Sequence, residues 1–238
     1  MELVNLCEVG NLDEIKEFLN KNPNFDVHYD DEYAFQIACG NGHLEVAKWL
    51  IETFRDIDYH TDNELAFRWA CENGHLEVAK WLVKTFRDID YHARNELAFR
   101  WACENGHLEV AKWLTETFRD INYHARDELA FIWACQDGHL RVAKWLTETF
   151  RDINYHARYE LAFRWACEYG YLEVAKWLIE TFRDIDYHAH NESAFRLACE
   201  NGHLEVVFFL KKKFPNIDHH ARNDYCYKYT KHPEILDW

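Results

Sequence analysis

Apolar residues along the chain fall into two alternating arrangements. Over residues 63–72, Phe67, Ala70 and Cys71 sit at i, i+3 and i+4 and predict a short helix with one apolar face. From about His75 to Thr85, Leu76, Val78, Ala79, Trp81, Leu82 and Val83 predict a second helix with a broad buried face. Its Glu77, Lys80 and Lys84 share the solvent side. Asn63 is placed to cap the first helix, with Glu64 in its first turn. Asn73-Gly74 separates the helices, and Gly74 is free to take a left-handed conformation. The polar stretch FRDIDYHARN, from Phe86 to Asn95, is too short for a third helix and reads as a loop or finger.

This unit recurs every 32 residues. NGHLEVAKWL begins at Asn41, Asn73 and Asn105, and returns altered at Asp137, Tyr169 and Asn201. Glycines at 42, 74, 106, 138, 170 and 202 mark the frame, and Gly10 extends it backward. One such unit cannot bury its own apolar face, so a fixed period in this range implies stacked repeats. The expected fold is all-α: a helix-turn-helix solenoid of seven repeats in a single array over residues 1–238. Residues 1–30 form the N-terminal cap repeat, 31–206 the central repeats, and 207–238 the C-terminal cap. The ends depart from the interior as caps should. Glu17 and Phe209 stand where Trp49, Trp81, Trp113, Trp145 and Trp177 stand inside, and Asn5, Ile37 and Leu197 flank the series Trp69, Trp101, Trp133 and Trp165. After Phe214, NDYCYKYTKHPEILDW reads as a truncated eighth unit whose helix is interrupted before Pro233.

Helix, tight turn, helix and extended finger at this period resemble the ankyrin repeat. Its T-P-L-H-x-A signature has a counterpart in Leu65-Ala66-Phe67-Arg68-Trp69-Ala70, NGHLEVAKWL resembles its second helix, and Asp88-Ile89-Asp90 resembles the D-V-N start of its finger. The resemblance covers nearly the whole chain. The Thr-Pro helix start is absent, the unit is one residue shorter than usual, and Phe86 and its equivalents replace a glycine after the second helix. The style of the repeats is similar to the divergent ankyrin repeats of large DNA viruses. The resemblance implies a binding surface on the concave face, made of fingers and first helices.

Composition narrows the function. Hydrophobic residues at 48% and a scarcity of proline and glycine exclude a disordered chain. The net charge of −15 argues against bulk nucleic-acid binding, which needs a basic face. Residues 1–62 carry 14 acidic and 4 basic side chains, an acidic end that reads as a solvated cap or as a docking site for a basic partner. No apolar run is long enough to span a membrane, and the N-terminus lacks the pattern of a signal peptide. The expected setting is the cytoplasm, with the nucleus as a second compartment, or the host-cell cytoplasm for a viral protein.

Cys7, Cys39, Cys71, Cys103, Cys135, Cys167 and Cys199 each hold one equivalent position per repeat; Cys226 alone is out of register. Equivalents on neighbouring helices lie ~8–10 Å apart, beyond the roughly 7 Å reach of a disulfide, so these read as small buried packing residues. Twelve of the fifteen histidines form two ladders of one per repeat, too sparse for zinc's several ligands at ~2.0–2.3 Å. His188/His190 and His219/His220 are the exceptions. No phosphate-binding loop, dinucleotide fingerprint, nucleophile elbow, zincin or calcium-loop motif occurs, and Ser193 is the only serine. The sequence therefore predicts no catalysis, no cofactor and no metal.

What remains is recognition. Trp69 and its equivalents Trp101, Trp133 and Trp165 lie 100–200° around the helix from the apolar face, on ~100° per residue. They either pack between neighbouring first helices or line a groove. Tyr91, Tyr123 and Tyr155 in the fingers would join such a surface. Repeats 63–94 and 95–126 differ at three positions, whereas Ile132, Asp137, Arg141, Tyr159, Tyr169 and Tyr171 break the pattern that follows. Ile132, Asp137, Tyr159 and Tyr169 are thus expected on first helices or their turns, outside the core, as distinctive contacts. Neutral drift after duplication would also produce them. The expected function is a monomeric, non-catalytic scaffold that binds a partner protein. The alternative is a structural or self-assembling protein using its aromatic surface.

Overall fold

Each repeat folds as two short antiparallel helices because neither apolar stripe is covered until its neighbour stacks on it. The computed structural model describes residues 2–218, 220–222 and 226; the predicted eighth unit falls largely outside them, as does His219. The described residues form fourteen helices and no strand. They divide into two compact units between Tyr123 and His124. The first contains α1 (Glu2–Val9), α2 (Leu12–Lys21), α3 (Tyr29–Gly40), α4 (Leu44–Thr53), α5 (Thr61–Glu72), α6 (Leu76–Thr85), α7 (Ala93–Glu104) and α8 (Leu108–Thr117). The second contains α9 (Ala125–Gln136), α10 (Leu140–Thr149), α11 (Ala157–Glu168), α12 (Leu172–Thr181), α13 (Ala189–Asn201) and α14 (Leu204–Lys213). Within each unit odd-numbered first helices pack on one another: α1, α3, α5 and α7, and separately α9, α11 and α13.

The core follows the predicted first-helix face. Phe67, Ala70 and Cys71 are fully buried, as are their equivalents from α3 onward, and all eight cysteines are free thiols. The second helix buries a narrower stripe than its sequence suggests. Val78, Ala79 and Leu82 are buried, but Leu76, Trp81 and Val83 are half-buried. Phe35 meets the Trp81 ring edge-on at 6.5 Å between centroids, so that tryptophan spans the seam between repeats.

The turn between helices works as predicted, and more tightly. Gly74 has φ 78°, the His75 N–H donates to Ala70 O at 2.8 Å, and the Gly74 N–H donates to Cys71 O. This is a Schellman-type termination. The glycine has a second role: a Cβ on Gly42 would lie 2.5 Å from the His75 ring of the following repeat. The post-glycine histidine ladder is therefore packed ring-on-glycine, and His43 Nε2 also lies 2.8 Å from Glu8 O.

The start of the first helix departs from expectation. Asn63 does not cap it. Asp62, Asn63 and Glu64 take φ values of 52°, 58° and 65°, a left-handed turn that precedes the right-handed helix. The same three-residue turn recurs at the start of α3, α7, α9, α11 and α13. Left-handed backbone costs non-glycine residues roughly 1–2 kcal/mol each, so it persists only where surrounding contacts hold it. Here the holder is a buried arginine. Arg68, 2% exposed, donates from Nε to Asn63 O at 2.7 Å and from an Nη to Asp62 O at 2.6 Å. Arg100 and Arg196 repeat the arrangement, and Gln36 takes the place with one bond to Asp31 O.

Candidate partner-binding surface

Within each unit the fingers and first helices form a polar lattice that joins neighbouring repeats. Glu64, 3% exposed, sits at the end of the left-handed turn. One of its oxygens faces His60 Nδ1 and accepts the Asp90 N–H of the following finger at 3.2 Å. The outer nitrogen of His60 lies 3.3 Å from Asp88, and the Tyr59 hydroxyl donates to the same carboxylate at 2.9 Å. Tyr59 also stacks on Phe86 at 3.8 Å. The set recurs as Tyr91, His92, Glu96, Phe118 and Asp120, and as Tyr155, His156, Glu160, Phe182 and Asp184. The signal for it was present in the sequence: a histidine and a glutamate four residues apart in successive frames.

This lattice gives a pH dependence. The hydrogen bond to Glu64 holds His60 above the ordinary histidine range, against the opposing effect of burial; Glu96 and Glu160 do the same for His92 and His156. A raised folded-state value adds stability that is fully present below the unfolded value and lost as pH rises through the folded one. Burial pulls His75 the other way, so that its contribution is lost on acidification. Asp88, held low by the Tyr59 hydroxyl, loses its contribution only as pH falls below the ordinary aspartate range. The urea midpoint is therefore expected to fall between pH 6 and pH 8.5. A flat or rising midpoint over that window would show that the histidine ladder does not hold the repeats. The histidines are about two-fifths exposed (side-chain exposure 41–42%), so each step is small and the repetition makes it measurable.

The residues singled out from the sequence occupy three kinds of place. Trp69, Trp101, Trp133 and Trp165 are half-buried, so packing and exposure coexist in each ring. Trp69 lies against Gly40, whose Cβ would sit 3.1 Å away, and meets Tyr33 edge-on; the Arg68 guanidinium lies 5.4 Å from the Trp101 ring. Tyr91 and Tyr155 are half-buried in the finger stacks, and Tyr123 is half-buried. Asp137 caps the end of α9, half-buried beside Gln136.

Ile132 requires correction. It is 1% exposed, in the core and not on the surface. It replaces the buried turn-holding arginine, so the change is one of internal architecture. The Arg126 carbonyl of its turn accepts instead from Arg158, 32 residues on, at 2.9 Å, and Arg158 also reaches Asp127 at 3.4 Å. In the same repeat as Arg158, Arg164 Nε is buried without a hydrogen bond.

The remaining departures are exposed. Tyr159 is 74% exposed within the left-handed turn and meets His190 edge-on at 5.2 Å. Tyr169, at the opposite end of α11, is 49% exposed, and Tyr171 is 38% exposed with its ring over Gly138. α11 thus carries exposed tyrosine at both ends.

Among the described residues no group of three or more histidine, cysteine, aspartate or glutamate side chains is arranged to hold a metal ion, and no helix is long and apolar enough to cross a membrane. No curated protein matches the chain. The family model for ankyrin repeats matches in three copies, over residues 3–95, 85–159 and 152–223. Ankyrin repeats are in general protein-interaction modules. With the model spanning almost the whole chain and the helix pairs in its register, the protein belongs to the ankyrin repeat family.

Proposed function

We infer that this protein recognises a partner protein without catalysis, through the face formed by its fingers and first helices. The observation that carries the reading is the pair of exposed tyrosines flanking α11. Tyr159 and Tyr169 stand where the other repeats after the first carry asparagine or aspartate, and exposed tyrosines are frequent interface anchors. The half-buried Trp133 and Trp165 supply further aromatic area in the same unit. No cofactor, metal or nucleic acid enters this reading, in which the protein acts as a monomer. Buried free thiols in every repeat suit a reducing compartment, the cytoplasm or nucleus.

The test compares the natural chain with the double variant Tyr159→Asn, Tyr169→Asn in affinity capture from cell lysate, read by mass spectrometry. A protein recovered by the natural chain and at least tenfold depleted by the variant supports the reading. Equal recovery from both would remove α11 from the site. A mass that grows with concentration in light scattering would favour self-assembly instead.

A further inference from the structure

The finger stacks form a series that is broken at its first place. Tyr59 on Phe86, Tyr91 on Phe118, Tyr155 on Phe182 and Tyr187 on Phe214 lie 3.8, 3.8, 4.0 and 3.7 Å apart, within 18° of parallel. In each case one repeat supplies the tyrosine and the next supplies the phenylalanine. Moving back one frame from Tyr59 and Phe86 leads to Val27 and Phe54. Phe54 is in place, with Trp49 edge-on at 6.0 Å as Trp81 is to Phe86. Its tyrosine is missing. Val27 is buried but has no ring to lay on Phe54, and a cavity of about 400 Å³ opens there, lined by Phe25, Val27, Trp49 and Phe54 with Lys16 at one side.

We propose that this cavity receives a phenolic ring: the tyrosine side chain of a partner polypeptide. The chain itself defines the occupant, because tyrosine fills the equivalent place in the four stacks above. Parallel aromatic contact on Phe54 with Trp49 at the edge provides the apolar part. The acceptor is in register as well. Asp56 corresponds to Asp88, which accepts the Tyr59 hydroxyl, and Asp56 is 80% exposed with its contact to His28 Nε2 at a long 3.5 Å. The Lys16 ammonium, 6.0 Å from the Trp49 ring centroid, borders the opening. At about 400 Å³ the cavity is within the size range of small-ligand pockets and has room for more than one ring, as a residue arriving on a peptide backbone needs. The slot lies in the first unit and is independent of the tyrosines flanking α11, so either can fail without the other.

The experiment is a heteronuclear NMR titration of the full chain with p-cresol, the tyrosine side-chain analogue, and with the peptide Gly-Tyr-Gly against Gly-Ala-Gly. Saturable shifts are expected at Val27, Trp49 and Phe54, with a dissociation constant on the order of millimolar for so small a probe. Val27→Tyr should abolish the shifts by filling the slot from within and should raise the urea midpoint. Phe54→Leu should weaken binding at least fivefold. Tyr59→Val should create a second p-cresol site at Phe86. Shifts that are absent, scattered over the exposed rings, or retained in Val27→Tyr would overturn the proposal. Binding of p-cresol without binding of Gly-Tyr-Gly would overturn its assignment to a polypeptide.

Discussion

Phe131→Ala is expected to cost about 3–5 kcal/mol of unfolding free energy, the range for deleting a buried phenylalanine side chain. Phe131 is fully buried on α9 and meets Trp177 of α12 at 6.5 Å. Its loss therefore opens a cavity at the seam between two repeats, where helices cannot close in without disturbing both. Phe131→Leu should cost far less, since most of the volume is kept. In a stacked repeat each unit leans on its neighbours, so the damage should be local in origin. Hydrogen exchange should rise first in α9, α11 and α12. Urea unfolding followed by circular dichroism supplies the free energy. A cost below about 1 kcal/mol would mean that the site repacks and that the repeat seam is not held by this ladder.

The features legible in the sequence were those that repeat and are apolar. The glycine frame, the cysteine position and the Phe67 series fix where helices turn and what they bury, because each has one simple physical role. Charged residues were less legible. Nothing in the local pattern marks Arg68 as buried, yet it lies against the carbonyls of a left-handed turn. Asn63 fits a helix start as well as it fits that turn, since asparagine both caps helices and tolerates left-handed backbone. The finger tyrosines look like free interface anchors, but their stacking partners lie 27 residues ahead, as Phe86 does from Tyr59, a relation that no local window reports. Ile132 shows the same limit. Read alone it is a surface departure, and only the burial of Arg68 and Arg100 reveals that it replaces a core residue. At the candidate surface, the departures at Tyr159 and Tyr169 were legible because tyrosine replaced residues suited to caps and turns.

Glu64→Ala is expected to cost about 1–3 kcal/mol, the range for leaving a buried polar group without its partner. The carboxylate is 3% exposed and serves two elements at once: His60 in its own repeat, and the Asp90 N–H in the next. Alanine would leave that N–H without its acceptor and the left-handed turn without its anchor on the finger side. Arg68 would remain, holding the turn from the helix side through Asn63 O and Asp62 O. The array should therefore stay folded but loosen between α5 and the following finger. A second readout separates this role from simple packing. The hydrogen bond to Glu64 is the main cause that raises His60, so the His60 ring should titrate closer to the ordinary histidine value in the variant. NMR titration of the histidine ring protons measures that shift, while His92, bonded to Glu96, serves as the unaltered control. A normal loss of stability with an unchanged His60 titration would mean that Glu64 fills space without carrying the bond. A moved titration with no loss of stability would mean that the bond forms without joining the repeats. Only the two changes together make the buried glutamate the tie from one finger to the next.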